Sequence, residues 1–209
     1  MKRYIVLLLS LLMIFSLFAC GSKVEEKPDM EEKNDAPAAE ESEVKKNTVL
    51  VAYFSRTGNT KELAEYAIEY LNADVFEIEA KAPYTDADIN YGNSNSRTSK
   101  EQNDKSMRPE IAGTVTDFSQ YETVIIAYPI WWGQAPRIID TFMESNDFSG
   151  KTVVPFCTSA SSGIGSSDTY LHNLASDDVN WKEGKRFAAG TSKDIVVNWL
   201  KDLKIEPYR

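Results

Sequence analysis

The segment from Val49 to Thr60, VLVAYFSRTGNT, limits the fold more than any other stretch of the chain. An unbroken apolar run, Val49 to Phe54, ends abruptly in the polar turn Ser55-Arg56-Thr57-Gly58-Asn59-Thr60. A helical pattern starts at once, with Leu63, Ala64, Ala67, Ile68 and Leu71 on one face. A strand buried on both sides, a short polar turn and an amphipathic helix form the building unit of parallel α/β sheets. In that unit the helix N-terminus presents unpaired N–H groups and a partial positive charge, which together suit a phosphate. Side-chain donors at Ser55, Thr57, Asn59 and Thr60 add to it. Asn59, with Glu62 three residues on, predicts a capping box that fixes the helix start.

The unit recurs down the chain. Asp74–Glu79 alternates as a second strand, and Glu122–Tyr128 is a near-continuous apolar third one. A helix starting near Pro136 buries Ile138, Ile139, Phe142 and Met143. Lys151–Cys157 is a fourth strand, in which Pro155 is unfavourable for a central position. A helix through Tyr170, Leu171 and Leu174 follows, then a short strand within Arg186–Ala189. The last helix, Thr191–Leu203, turns Ile195, Val196, Trp199, Leu200 and Leu203 to the core and is capped by Thr191 with Asp194. Alternating strands and helices imply a doubly wound parallel sheet. Lys81–Gly113 interrupts the pattern with two prolines and little periodicity. An insert of that length inside a compact domain is often functional, and Ser96–Asn103 is its one candidate helix.

The N-terminus has a different character. Lys2-Arg3, an apolar run from Tyr4 to Phe18 and a small residue before Cys20 read as a secretory signal over residues 1–19. Leu17-Phe18-Ala19-Cys20-Gly21 resembles a bacterial lipobox, which implies cleavage before Cys20 and lipidation of its thiol. Residues 20–47 hold almost no large apolar side chains and cannot offset their ordering entropy. They predict a flexible acidic tether, its ends on the order of 25–30 Å apart. The chain carries a formal charge of −9, and loss of Lys2 and Arg3 with the signal leaves 21 basic against 32 acidic residues, or −11. That balance excludes the basic footprint of a nucleic-acid binder. It also leaves a lipid as the expected source of membrane contact. One cysteine besides Cys20 and one histidine cannot build a zinc site or a disulfide framework, so Cys157 reads as a small buried hydrophobe.

In a doubly wound sheet, ligands bind outside the carboxyl ends of the strands where strand order reverses. Three conspicuous loops end there: 55–60, Pro129-Ile130-Trp131-Trp132-Gly133, and Thr158 to Gly165. The first lacks the lysine of a GxxxxGK[ST] loop and the glycines of a G-x-G-x-x-G turn, which argues against nucleoside triphosphates and dinucleotides. The second carries adjacent tryptophans; one belongs to the core and the other faces a planar ligand. The third is rich in serine and glycine, so its N–H groups can approach a heteroaromatic edge.

The combination YFSRTGNT … YPIWWG … PFCTS–SGIGSS resembles the flavodoxin-like proteins, over roughly Thr48 to Leu203. The resemblance implies a three-layer, five-stranded parallel sheet of order 2-1-3-4-5. It also implies flavin mononucleotide (FMN) as cofactor. Ser55, Arg56, Thr57, Gly58, Asn59 and Thr60 would hold its phosphate. Pro129, Ile130, Trp131, Trp132 and Gly133 would run along the isoalloxazine, and Thr158, Ser159, Ser162, Gly163 and Gly165 would line the pyrimidine side. Positions 160 and 161, glycines in the resemblance, are Ala160 and Ser161 here. With no catalytic acid–base set, the leading expectation is an electron carrier tethered outside the cytoplasmic membrane, its donor and acceptor open. The acidic surroundings and tryptophans predict a second-electron potential below that of free FMN. Three alternatives stand beside it. One is a flavin or quinone reductase using NAD(P)H, and another is a cofactor-free binding module on the same scaffold. The third is a serine hydrolase using Ser161 or Ser162 with His172, disfavoured because no G-x-S-x-G elbow is present and His172 reads as a surface helix residue.

Overall fold

A computed structural model describes residues 48–207; the expected signal, Cys20 and the linker lie outside the described residues. Strand β1 (Val49–Tyr53) leads into helix α1 (Asn59–Leu71), then β2 (Asp74–Glu77) and the short α2 (Arg97–Asn103) inside the insert. Next come β3 (Thr123–Pro129), α3 (Arg137–Glu144), β4 (Thr152–Thr158), α4 (Ser167–His172), β5 (Asn180–Trp181), β6 (Lys185–Phe187) and α5 (Lys193–Asp202). All sheet pairings are parallel, in the order β2-β1-β3-β4-β5, with β6 also on β4. This is the expected 2-1-3-4-5 order.

Alternation along the strands sorts the core into two layers. Leu50, Ala52, Val124, Ile126, Tyr128 and Val153 face α3 and α4, meeting Ile138, Ile139, Phe142 and Leu171. Val51, Tyr53, Ile125, Ala127, Val154 and Phe156 face α1 and α5, meeting Leu63, Ala67, Val196 and Trp199. The central strands are buried on both sides, and their unbroken apolar runs follow from that.

The fifth strand position is split, and Pro155 accounts for the split. Val153 C=O accepts from Lys182 N–H at 2.8 Å, and Ser159 N–H donates to Phe187 C=O at 3.1 Å. Pro155 has the same parity, so the N–H it lacks would face the fifth position, between β5 and β6. The proline is tolerated in β4 because pairing is interrupted where it sits.

Three expectations about helices need correction. Gly58, with φ of +89°, is the residue flanking α1, and no side chain caps it. Asn59 is already helical, one position too late to act as the cap of a box with Glu62. Helix α5 begins at Lys193 rather than Thr191, again without a side-chain cap; Thr191 Oγ1 donates to Ala188 C=O instead. Ile195, expected in the core, is 51 % exposed, because the buried stripe of α5 is the narrower Val196, Trp199 and Leu200.

Candidate functional site

The cleft lies at the carboxyl ends of β1, β3 and β4. Thr57 and Asn59 border it from the first loop, Pro129, Ile130 and Trp131 from the second, and Thr158, Ser159 and Ala160 from the third. Ile89 and Tyr91 of the insert and Ala189 after β6 complete a cavity of about 270 Å³. None of these lining residues carries a carboxylate or a cation. Seven expected residues therefore meet on one cleft: Thr57, Asn59, Pro129, Ile130, Trp131, Thr158 and Ser159.

The other expected residues stand around it in different roles. Thr60, buried, shares a 2.7 Å hydrogen bond with Thr158 across the base of the loops. Ile130 N–H donates to Thr158 C=O, which ties the second loop to the third. Gly58 supplies the left-handed conformation that lets the chain enter α1. Arg56 donates to Tyr84 C=O and to Asp86, both at 2.6 Å, so it anchors the start of the insert. Ser55 borders a second cavity, of about 370 Å³, together with Arg56, Glu77 and Tyr84. Ser162, Gly163 and Gly165 lie on the exposed part of the third loop rather than among the cleft-lining residues.

The second loop is a two-residue reversal. Trp131 and Gln134 exchange both backbone hydrogen bonds, and Trp132 and Gly133 between them have φ of +52° and +77°. Positive φ at both central positions is the type I′ turn, where asparagine and glycine are favoured. Trp131 is buried against Phe54 and Tyr84, edge to face at 5.2 and 5.1 Å. Trp132 is 42 % exposed and packs on Tyr91, ring centroids 5.2 Å apart. One tryptophan is core and the other is at the rim.

Two features fit the phosphate of FMN. The first turn of α1 has no side-chain cap, so its leading N–H groups remain available to an anion. Ser55 Oγ, on the same loop, is buried without a hydrogen-bond partner, which leaves it open to a ligand or a water.

Sequence reasoning missed the insert's contribution and Arg186. Ile89 and Tyr91 lie in a stretch without periodicity, and only the insert's length signalled it. Helix α2 is pinned by Arg137, fully buried, which donates to the carbonyls of Glu101 and Gln102 and to Asp140. Tyr84 OH donates to Glu101 at 2.8 Å. Arg186 on β6 donates to Ser159 and Ala160. Ser159 Oγ also donates to Ser162 C=O, so the third loop is braced from within. Cys157 is buried as expected, and burial pushes its thiol up to about 12. His172 is not a bare surface residue: its ring stacks on Trp181 at 4.0 Å, and burial lowers its pKa. Among the described residues no cluster could hold a metal ion, and no helix is long and apolar enough to cross a membrane.

A family model described as Flavodoxin matches residues 48–203. The chain belongs to the flavodoxin family. It is similar to a candidate flavoprotein from Bacteroides eggerthii DSM 20697 at 43% identity, covering 77% of this chain and 100% of that one with a TM-score of 0.71. A second, from Bacteroides uniformis ATCC 8492, is 40% identical over 74% of this chain and 98% of its own, with a TM-score of 0.70. A flavoprotein in complex with FMN from Lactobacillus acidophilus NCFM is 25% identical over 68% of this chain and 93% of its own, at 0.53. No curated protein matches.

Proposed function

We propose that this protein binds FMN in the three-loop cleft and carries electrons outside the cytoplasmic membrane, held there by a lipid on Cys20. The observation that carries the reading is the convergence of Thr57 and Asn59, Pro129 to Trp131, and Thr158 to Ala160 on one cavity beside an uncapped helix N-terminus. FMN, when bound, supplies the one- and two-electron chemistry. The protein's own residues do the rest. The α1 N-terminus with Thr57 and Asn59 would hold the phosphate, Trp131 and Ile130 would form one wall, and Trp132 with Tyr91 would cover the rim.

The test is the visible spectrum of the purified full-length chain, with stopped-flow mixing against NADH. Flavin absorption bands with no bleaching at catalytic rates are the expected result. Rapid bleaching by NADH would make the protein a reductase, and a colourless chain that ignores added FMN would leave a binding module. For the anchor, mass spectrometry of the membrane-associated protein should find a diacylglycerol on Cys20, and Cys20→Ser should release the chain.

A further inference from the structure

We infer that Arg186 is a positioning residue for the ligand's ring, turning the peptide N–H groups of Ala160 and Ser161 toward acceptors on its edge. The inference rests on the FMN reading above. Arg186 Nη2 donates to both Ser159 C=O and Ala160 C=O at 2.6 Å, and its Nε donates to Ser159 Oγ at 3.2 Å. No described peptide bond is cis, and in a planar trans peptide the C=O and N–H point in opposite directions. Holding Ser159 C=O therefore directs Ala160 N–H away from the guanidinium, and holding Ala160 C=O does the same to Ser161 N–H. Ser159 and Ala160 border the cleft, whereas Arg186 does not. Among the described residues neither N–H has a backbone acceptor, while Ser159 N–H is already committed to Phe187 C=O. The N–H groups at 160 and 161 are thus open donors next to the residues of this loop that border the cleft.

The chemistry follows from what such donors meet. The pyrimidine side of an isoalloxazine presents two carbonyl oxygens and the unprotonated N1 as acceptors, with N3–H as its one donor. Uptake of two electrons and one proton takes the ring from neutral to a charge of −1, and much of the added charge falls on that side. Preorganised N–H groups stabilise it more than they stabilise the oxidised ring. A guanidinium on the far side of both peptides polarises them in the same sense, since its bonds to the carbonyls are charge-assisted. A lysine could keep the charge but not the fork across two carbonyls and a hydroxyl.

The experiment uses the full-length chain with Arg186→Gln and Arg186→Lys. Flavin fluorescence quenching gives the affinity for oxidised FMN. Titration with dithionite against a reference dye gives the midpoint potential; dithionite, oxidised to sulfite, supplies the two electrons, and solvent supplies the proton. Both variants should bind oxidised FMN at least ten-fold more weakly and reduced FMN weaker by a further ten-fold. That second factor lowers the two-electron midpoint by about 30 mV. Far-UV circular dichroism of each variant should match the wild type; a variant that unfolds is replaced by Arg186→Met in the same assays. Unchanged affinity and midpoint in both variants would overturn the inference, and so would weaker binding with an unmoved midpoint, since the loop would then be scaffolding only. A lysine variant equal to wild type would overturn the fork. A wild-type chain that does not bind FMN would instead overturn the reading beneath it.

Discussion

The residue with the most evident conflict between stability and function is Trp132. A bulky side chain at φ of +52° is a backbone outlier, at a cost of about 1–2 kcal/mol. Its ring contact with Tyr91 returns about 0.5–1.5 kcal/mol. The two nearly cancel, so folding alone gives little reason for tryptophan at this turn. Trp132→Asn, which suits a type I′ turn, should leave the urea-unfolding free energy within about 1 kcal/mol of wild type. Its affinity for FMN should fall about ten-fold, since loss of one ring contact of this size is about 1.4 kcal/mol. Equal affinity would remove Trp132 from the site. Asp140 gives a second test. It is fully buried against Arg137 with Oδ1 unpartnered, and burial holds its carboxyl above the usual range. A carboxyl raised in the folded state binds more protons there than in the unfolded chain, so its contribution is present at low pH and is lost as pH rises through the folded value. Measured by urea unfolding, wild type should therefore lose stability relative to Asp140→Asn between pH 4 and pH 7. A difference that stays constant or moves the other way would contradict the raised value.

At the scale of elements, the sheet was legible because its signal is local and periodic. Strand β1, helix α1 and the buried runs of β3 and β4 are each specified by residues within a dozen positions. Helix starts were less legible. Asn59 and Thr191 are good caps by residue type, but the left-handed Gly58 shifts one helix frame and Thr191 bonds back to Ala188. Of the site, the three loops could be read from composition at strand ends. Arg186, Ile89 and Tyr91 could not, because what places them is contact across 26 or more residues and not pattern. The broken fifth strand is a similar case, hinted at only by Pro155. Its tightest point is Gly184, where an added Cβ would lie 2.7 Å from Ile164 Cδ1, 3.0 Å from Asp168 Oδ2 and 3.1 Å from Pro155 Cγ. The first two atoms end movable side chains, but the pyrrolidine ring is fixed. Gly184→Ala should therefore destabilise by about 1–3 kcal/mol, seen as a lower urea midpoint with an unchanged slope. A neutral outcome would mean that β5, β6 and the third loop are not packed as one unit.

At the scale of the whole molecule the dominant property is charge. The chain carries −9, or −11 once residues 1–19 are removed, and FMN arrives with a phosphate near two negative charges of its own. The attraction available to that phosphate is short in range: helix-terminus effects fade within the first turn. The repulsion is summed over the surface and reaches across a Debye length, about 30 Å at 0.01 M salt but about 8 Å at 0.15 M. Approach is therefore governed by the repulsion and release by the local contacts. Raising ionic strength from 0.01 to 0.15 M should speed FMN association, by several-fold in stopped-flow fluorescence, while also modestly speeding dissociation. The sign is the informative part. Association that slows with salt would mean that a positive field at the cleft mouth outweighs the net charge. The candidates would then be Arg186, which holds the third loop from behind, and Arg56, which anchors the start of the insert. Charge neutralisation at each in turn would show which one steers the ligand in.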